Sequence, residues 1–470
     1  MNDTWLKRWS WHNLRVASAA QERLRRRFTK SGQAVLAATL AAALFGLDTR
    51  MTAAYQAFAF GAALLLVAAV GTLRGRPTLT SERRLPRHAT VGEPCSYRVS
   101  LHNTGHRPLA ALELAERLPD PRPNRSLFLA ARAPIETRLN RIERLFGYSR
   151  WEWLVRQGQA AEPQSPVPLP TLAPGEQIEQ TIRITPRRRG WLRLDAMVAA
   201  RTDVLGLMRR ETLLPGSDRV LVLPKRYPVA LLLQSSHRRL QPGGVNLASA
   251  VGDSREFAGL RDYVPGDSPR HIHWAAWARS GEPVVKEYQD EFFSRQALIL
   301  DTFRDSRPDG NPAPEAADAS DDPVFECAVS VAASLLEPLT RAGASQDALL
   351  DLMFVTDRAH SVTGGRGLLS SDGMLEVLAC LTPNRDRDFS SLSELVLGRA
   401  PQLGAAVCVL LAWDKPRQDL VHHLGALGLP LQVLLITTSA PASIAESRAS
   451  PPPLCIDPAD PAAGLARDQG

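Results

Sequence analysis

A dense run of charged and aromatic residues lies near the middle of the chain, between Arg255 and Glu291. Arginine forks bind carboxylates and phosphates through paired hydrogen bonds, and aromatic rings anchor protein interfaces. The residues suited to this chemistry are Arg255, Phe257, Leu260, Arg261, Tyr263, Gly266, Asp267, Arg270, Trp274, Arg279 and Lys286. They predict either a network of ion pairs that locks the segment between neighbouring domains or a docking surface for a partner protein.

His271, His273 and Asp267 suggest a different chemistry within the same run. The histidines alternate around Ile272, so on a strand both imidazoles would share a face and, with Asp267, form a metal or acid–base site. Histidines in such positions are more often satisfied by neighbouring groups, so an enzyme centred on these residues is kept as an alternative. The sequence has no Gly-rich phosphate loop, nucleophile elbow or HExxH helix, and we predict no catalytic residue and no cofactor.

Two apolar stretches, residues 32–47 and 53–73, precede this segment and contain no charged side chain. About 20 apolar residues cross a hydrocarbon core, with a lower limit near 17, so the stretches predict a transmembrane hairpin over residues 32–73. The basic residues that flank the hairpin are Lys7, Arg8, Arg15, Arg23, Arg25, Arg26, Arg27, Lys30, Arg74, Arg76, Arg83, Arg84 and Arg87. Because such residues stay in the cytoplasm, we predict a multi-pass inner-membrane protein with both termini and the soluble domains on the cytoplasmic side.

Residues 1–31 form a basic segment that also carries Trp5, Trp9 and Trp11. Tryptophan beside cations suits a lipid interface, and a disordered basic tail is the alternative. The net charge of +7 owes much to arginines next to the predicted spans, where topology and anionic lipid account for them. We therefore expect membrane lipid, and no nucleic acid, among the partners.

Between residues 77 and 225 the sequence alternates with period two and is interrupted by turn residues, as at 95–101 followed by Asn103 and Gly105. Short strands separated by such turns predict an antiparallel, immunoglobulin-like β-sandwich. Near residues 135–155 the apolar residues recur at helical spacing, which predicts a helical insertion. The insertion would either cap the open end of the sandwich or contact a partner or the membrane.

Residues 296–438 contain short apolar strands that alternate with helices, a pattern that predicts a parallel α/β sheet. Residues 226–295 contain the charged segment, and residues 439–470, rich in Pro, Ala, Ser and Asp, are predicted to be disordered. The five cysteines form no C-x-x-C pair and some lie in apolar runs, which favours reduced, buried thiols in a cytoplasmic protein.

The charged segment also carries a family resemblance. It contains, in order, Phe257, Gly259, Leu260, Arg261, Asp262, Tyr263, Gly266, Asp267, Arg270, Ile272, Trp274 and Arg279, then Val285, Lys286 and Glu287. In these positions the chain resembles the bacterial family called domain of unknown function 58. The segments that begin at Arg189 and Asp203 resemble further parts of that family, with Val204 in place of a proline. The resemblance implies paired membrane spans, a β-domain and a C-terminal domain similar to von Willebrand factor A domains.

Von Willebrand factor A domains can hold a divalent ion with a D-x-S-x-S motif after the first strand of the sheet. Here Asp301 is kept, but Phe303 and Asp305 replace the two serines. Asp301 and Asp414, which follows a later strand, are the candidate oxygen ligands. Because the hydroxyl ligands are missing and Arg304 would compete as an internal counter-ion, we expect no tightly bound ion.

Members of the resembled family are commonly encoded beside MoxR-type AAA+ ATPases. The resemblance therefore implies a non-enzymatic, membrane-anchored adaptor that acts with such an ATPase in assembling or activating client proteins. A ligand- or divalent-metal-binding sensor that uses the A-type domain is the first alternative. The enzyme centred on Asp267, His271 and His273 is the second.

Overall fold

A computed structural model describes residues 3–45, 52–73, 77–131, 133–162, 164–229, 256–289, 295–303, 322–342, 349–365, 368–384, 388–438 and 452–466. The chain divides into two units. The first is built mainly from Met1–Lys225, and the second contains Arg226–Asn311, Pro323–Val377 and Leu381–Gly470.

Three helices open the first unit: α1 (Asp3–Arg27), α2 (Lys30–Phe45) and α3 (Thr52–Thr72). At 1.5 Å per residue α2 is about 24 Å long and α3 about 32 Å, against a hydrocarbon core of about 30 Å. Residues Ala53–Thr72 are apolar enough to cross a membrane, and only 11% of that window is buried inside the protein. Both helices lie where the sequence predicts the hairpin. An exposed apolar helix of this length supports association with a membrane.

A glycine allows α2 and α3 to pack closely. A Cβ atom at Gly61 would lie 2.2 Å from the hydroxyl oxygen of Thr39, so a larger residue would push the helices apart. The Thr39 hydroxyl donates to the carbonyl of Val35 at 2.7 Å, so this polar group is satisfied within its own helix. Small residues at such contacts are typical of membrane helix pairs.

Among its described residues, the rest of the first unit contains eight strands and three α-helices. They are β1 (Leu79–Arg84), β2 (His88–Thr90), β3 (Cys95–Asn103), β4 (Leu112–Arg117), α4 (Arg125–Ala130), α5 (Arg141–Phe146), α6 (Tyr148–Gly158), β5 (Val167–Leu169), β6 (Gln177–Ile184), β7 (Gly190–Thr202) and β8 (Arg209–Leu223). One sheet has the order β1-β3-β6 and the other β2-β8-β7-β4-β5. Both contribute to one apolar core, which makes a β-sandwich. The prediction of a purely antiparallel sandwich is wrong at one edge, where β2 pairs parallel to β8.

The β7–β8 hairpin is longer than the sequence pattern suggests. Its turn, residues 203–208, is shaped by Asp203, whose carboxylate accepts hydrogen bonds from the backbone N–H groups of Leu205 at 2.9 Å and Met208 at 2.5 Å. An Asp side chain that bonds the following backbone stabilises a turn locally. The segment beginning at Asp203 is therefore a hairpin turn.

Helices occupy the predicted insertion near residues 135–155, and they form a small core of their own. Phe128, Trp151 and Leu154 are buried there, and Trp11 and Leu14 of α1 pack against them. The Trp11 indole N–H donates to the carbonyl of Pro123 at 3.3 Å. The basic N-terminal segment is thus a helix docked on the insertion and not a disordered tail.

The second unit begins, within the described residues, with a hairpin and continues as a larger sheet. Its elements are β9 (Glu256–Asp262), α7 (Trp274–Ser280), β10 (Val284–Gln289), β11 (Arg295–Leu300), α8 (Pro323–Ala342), β12 (Leu349–Val355), β13 (Ala359–Gly364), α9 (Ser371–Cys380), α10 (Ser390–Arg399), β14 (Ala405–Leu410), α11 (Lys415–Ala426), β15 (Leu431–Ile436), β16 (Leu454–Ile456) and α12 (Pro461–Leu465). The six-stranded sheet has the order β13-β12-β11-β14-β15-β16. All its neighbours are parallel except β13, which pairs antiparallel to β12.

Helices cover both faces of this sheet. Ala297 and Ile299 of β11 pack in one cluster with Leu392 of α10 and Val421 of α11. Helix α8 packs against β11, β12, β14 and β15 and contributes nothing to that cluster, so it lies on the opposite face. By length and composition α8 also resembles a membrane span, but 61% of Pro323–Thr340 is buried, as in a core helix.

Part of the segment predicted to be disordered is ordered. Within residues 439–470, Leu454–Ile456 form β16 and extend the sheet beside β15, and α12 follows. The short apolar run Leu454, Cys455 and Ile456 provides the backbone that covers the edge of β15. The prediction is wrong for these residues.

The cysteines differ strongly in accessibility, and this predicts their reactivity. Burial raises the pKa of Cys327 and of Cys408 to about 12, whereas Cys380 is exposed. We expect maleimide at pH 8 to label Cys380 first and to leave Cys327 and Cys408 unlabelled, because only the thiolate reacts. Peptide mass spectrometry of the detergent-solubilised chain measures this, with the urea-denatured chain as control. Early labelling of Cys408 would contradict the buried position of β14.

Candidate functional site

The charged segment forms an antiparallel hairpin with a helix between its strands. Strands β9 and β10 pair with Val284 opposite Asp262 and Lys286 opposite Leu260. A backbone hydrogen bond of 2.9 Å from the Tyr263 N–H to the Pro283 carbonyl continues the pairing beyond the strands. We call residues 256–289 the signature hairpin. Of the predicted site residues, Arg255 lies outside the described residues. The backbone of Phe257 lies on β9.

A bidentate ion pair organises the loop after β9. Arg261 donates from Nη1 to Asp267 Oδ2 at 2.8 Å and from Nη2 to Oδ1 at 2.6 Å, and the Val264 N–H donates to Oδ2 at 3.0 Å. Gly266 adopts a φ of +116°, which side-chain-bearing residues rarely reach. The hydrogen bonds from Arg261 and Val264 lower the pKa of Asp267, and the nearby charge of His271 acts in the same direction.

This ion pair does not form a buried network. The Arg261 side chain is 40% exposed and that of Asp267 19% exposed. Arg270 and Arg279 are exposed as well, and Lys286 is half-buried. The exposed side chains differ from the buried network of ion pairs that the sequence left open, and the docking surface stays a prediction.

Two tryptophans stand out on α7. Trp274 and Trp277 are three residues apart on the helix and stack with ring centroids 5.3 Å apart and planes 22° from parallel. Trp274 is 64% exposed, and Leu260 and Val264 in the same hairpin are exposed to 47% and 58%. Exposed aromatic and apolar side chains held in fixed positions are characteristic of protein interfaces.

His271 and His273 do not lie on a strand, so the prediction that their imidazoles share one face of a strand is wrong. His271 ends a 3-10 turn over Pro269–His271, and His273 is the N-cap of α7. Pro269 favours the turn, and the His273 Nδ1 atom accepts the Ala276 N–H at 3.0 Å. The Nδ1 atom of His273 is therefore already used by the helix, which leaves only Nε2 for a metal or acid–base role.

The carboxyl end of the six-stranded sheet is the other candidate site. Asp301 follows β11 and Asp414 precedes α11, at the point where the strand order reverses between β11 and β14. Open parallel sheets bind ligands at this position. Asp301 is fully buried, and its carboxylate accepts the N–H groups of Phe303 and Leu411, each at 3.0 Å.

An arginine from the chain fills this position. Arg417 Nε donates to Asp301 Oδ2 at 2.7 Å, and Arg417 Nη1 donates to Asp414 Oδ2 at 2.6 Å. The guanidinium lies 4.3 Å from the centre of the Phe389 ring. Burial lowers the pKa of Arg417, but the two carboxylates outweigh burial and raise the pKa above its ordinary value. A permanent cation thus stands between the two candidate ligands.

The expected competitor was a different residue. The sequence pointed to Arg304, which lies outside the described residues, and missed Arg417. A signal was available, because Asp414, Pro416 and Arg417 are typical of a helix start in which an Asp cap meets an arginine three residues later. Among the described residues no group of three or more His, Cys, Asp or Glu side chains is placed to hold a metal ion.

A second buried carboxylate lies at the opposite end of β11. Asp351 on β12 is fully buried and accepts from Arg295 Nε at 2.7 Å and from Arg295 Nη2 at 3.1 Å. The Thr363 hydroxyl on β13 adds a bond of 2.6 Å. Sequence reasoning missed this cluster because its members come from three separate strands.

The comparisons with known proteins are limited in reach. No family model matches the chain. The chain is 28% identical over 144 residues to the uncharacterised protein YeaD of Bacillus subtilis (strain 168), a match that covers 30% of this chain and 31% of that protein. The resemblance to domain of unknown function 58 therefore stays a prediction.

Two solved structures are distantly similar. One is a CARDB domain from Pyrococcus furiosus, at 14% identity over 31% of this chain and 94% of that chain, with a TM-score of 0.17. The other is an aerotolerance-related membrane protein from Bacteroides fragilis, at 12% identity over 32% and 69%, with a TM-score of 0.21. At these scores neither structure supports an assignment for this chain.

Removing the buried guanidinium should destabilise the α/β sheet. Arg417→Met leaves the Asp301 carboxylate buried without a counter-charge, and we expect the free energy of unfolding of this unit to fall by about 3–5 kcal/mol. Hydrogen exchange of the β14 amides in the solubilised full chain measures it. The control is Arg399→Met. Arg399 is part-exposed and lies 3.8 Å from Asp351, and in this variant Asp351 would still be paired with Arg295. Equal losses in the two variants would contradict the special position of Arg417.

The position of Arg417 also predicts that divalent cations do not change the stability of the α/β sheet. Since Arg417 already occupies both candidate carboxylates, neither Mg²⁺ nor a chelator should change the exchange rates of the β11 and β14 amides in the unsubstituted chain. Slower exchange on adding Mg²⁺ would show instead that the ion displaces the arginine.

The Arg261–Asp267 pair predicts an acid limit for the signature hairpin. The pKa of Asp267 is lowered in the folded hairpin, so the ion pair stabilises the hairpin fully above the ordinary pKa of an aspartate. This stabilisation is lost as the pH falls through the lowered pKa, below about pH 4. Fluorine NMR of 5-fluorotryptophan at Trp274 and Trp277 should report this loss. In Arg261→Gln the transition should move to higher pH, whereas Arg270→Gln should leave it unchanged. A shift in both variants would point to net charge as the cause.

Proposed function

We propose that this protein is a non-enzymatic, membrane-anchored adaptor that acts with a MoxR-type AAA+ ATPase in the assembly or activation of client proteins. The observation that carries the proposal is the exposed Trp274 ring, stacked on the half-buried Trp277 in a hairpin whose loop is held by Arg261 and Asp267. A rigid aromatic anchor with arginines around it is the composition of an interface hot spot. The identity of the ATPase rests on the family resemblance alone.

The proposed anchor is a hairpin of α2 and α3 that spans the inner membrane with both ends in the cytoplasm. The basic residues on both outer sides of the hairpin support this orientation. A second support is structural: the start of α2 and the end of α3 both contact the β7–β8 hairpin of the β-sandwich, near its turn. A soluble domain can hold both helix ends only if the two ends lie on one side of the membrane.

The proposed identities of the folded domains follow the resemblance as well. We assign the second unit's sheet to the von Willebrand factor A type because its order, with an antiparallel strand at one edge, is that of a doubly wound sheet with its switch point beside Asp301. We assign the two-sheet sandwich to an immunoglobulin-like module.

The alternative functions have less support. A metal-binding sensor would need oxygen ligands at Asp301 and Asp414, and Arg417 binds both. An enzyme centred on Asp267, His271 and His273 would need these groups to be available, whereas Asp267 is paired with Arg261 and His273 caps α7. These contacts support the adaptor over both alternatives.

The adaptor proposal predicts that Trp274 is required for partner binding. Trp274→Ala should weaken co-purification of the ATPase from mildly solubilised membranes, because truncation of a hot-spot residue raises Kd by about 30-fold or more. Quantitative mass spectrometry of the captured complexes measures this. The matched control is Trp191→Ala, which removes another exposed tryptophan, 52% exposed, from the β-sandwich.

Two results would contradict the proposal. Equal capture by Trp274→Ala and the unsubstituted chain would remove the signature hairpin from the interface. Capture of no ATPase by the unsubstituted chain, together with stoichiometric divalent metal in the purified protein, would favour the sensor.

A further inference from the structure

The turn between β7 and β8 binds both ends of the α2–α3 hairpin. Thr29 begins α2 as its N-cap, because its hydroxyl oxygen accepts the Gly32 N–H at 3.0 Å, and the Thr29 N–H donates to the Leu207 carbonyl at 3.0 Å. The Thr29 hydroxyl also donates to the Gly206 carbonyl at 2.6 Å. Gly32 packs so closely on Leu207 that a Cβ atom there would collide with the Leu207 backbone.

The end of α3 is held in a similar way. Arg210 Nη1 donates to the Thr72 carbonyl at 3.2 Å, which pairs one of the open carbonyls at the helix C-terminus with a cation. Gly71 lies beside Asp203, with 3.5 Å between its ideal Cβ position and the Asp203 Cβ atom. The turn therefore lies at the level where α2 begins and α3 ends.

Two apolar side chains project from this turn into the surroundings of the protein. Val204 is 79% exposed and Leu205 is 43% exposed. Asp203 fixes the backbone that carries them through its bonds to the Leu205 and Met208 N–H groups. In water a fixed, exposed Val–Leu pair is unfavourable, whereas at the ends of two membrane helices it can enter the boundary between headgroups and acyl chains.

We propose that the β7–β8 turn is seated in the cytoplasmic leaflet, with Val204 and Leu205 inserted among the phospholipids. Arg201 and Arg210, which flank the turn on β7 and β8, lie behind this apolar tip at headgroup level. Cations at that level complement lipid phosphates. The inference rests on the proposed membrane anchoring by α2 and α3 and adds a third contact, through which the β-sandwich is held at a set distance from the bilayer.

Photo-crosslinking of the full chain tests the inference. Photoreactive p-benzoyl-phenylalanine replaces Val204 in the chain reconstituted into nanodiscs of phosphatidylethanolamine and phosphatidylglycerol, and mass spectrometry counts phospholipid adducts. The matched negative control carries the same residue in place of Trp191, an exposed site near the opposite end of β7, about 40 Å away along the strand. The positive control replaces Leu66 of α3, which is 66% exposed.

We expect several-fold more lipid adduct at position 204 than at position 191, and a yield at 204 comparable to that at 66. Lipid adducts at 66 but only background at 204 would overturn the inference and leave the membrane anchor intact. Background at both 66 and 204 would overturn the anchor and the inference together. Adducts at 204 to protein instead of lipid would also overturn the inference, because the tip would then be a protein contact.

Discussion

The need to neutralise buried carboxylates governs how both units of this chain are built. Glu116 in the β-sandwich, Glu136 in the helical insertion, and Asp351 and Asp301 in the α/β sheet are all buried. The nearest guanidinium nitrogen of an arginine lies 2.6 to 2.8 Å from a carboxylate oxygen of each. An unpaired charge in these places would destabilise the fold by several kcal/mol, so each pair constrains where the two segments that carry it must meet.

The same pairing has a different consequence at the surface. In the signature hairpin, Arg261 and Asp267 are only six residues apart and remain partly exposed, so their fork shapes a loop and links no distant elements. That loop lies in the same hairpin as the stacked tryptophans of α7, of which Trp274 is exposed and Trp277 half-buried. Arginine–carboxylate pairs thus close the end of the α/β sheet and, in the hairpin, shape a partly exposed loop.

Much of the fold could be predicted because it follows from local periodicity. The strand at 431–436 and the helix at 325–339 appear within a few residues of the patterns that indicate them. Elements with a weak or very short apolar pattern escaped: β13 is a half-polar edge strand, and the apolar run of β16 is only three residues long in a Pro- and Ala-rich segment. Edge strands need fewer buried side chains, so their sequences carry less signal.

By itself the sequence determined the apolar hairpin, the order of the domains and the residue types of the candidate sites, because hydrophobic period and composition act over neighbouring residues. Only the tertiary structure decided which charges meet. Arg417 lies 116 residues from Asp301 and binds it, a pairing that depends on β11 and β14 being adjacent in the sheet. Likewise, the β7–β8 hairpin of the sandwich holds both ends of the apolar hairpin through contacts between segments more than 130 residues apart. Long-range pairing is set by how the elements pack, and no local pattern encodes it.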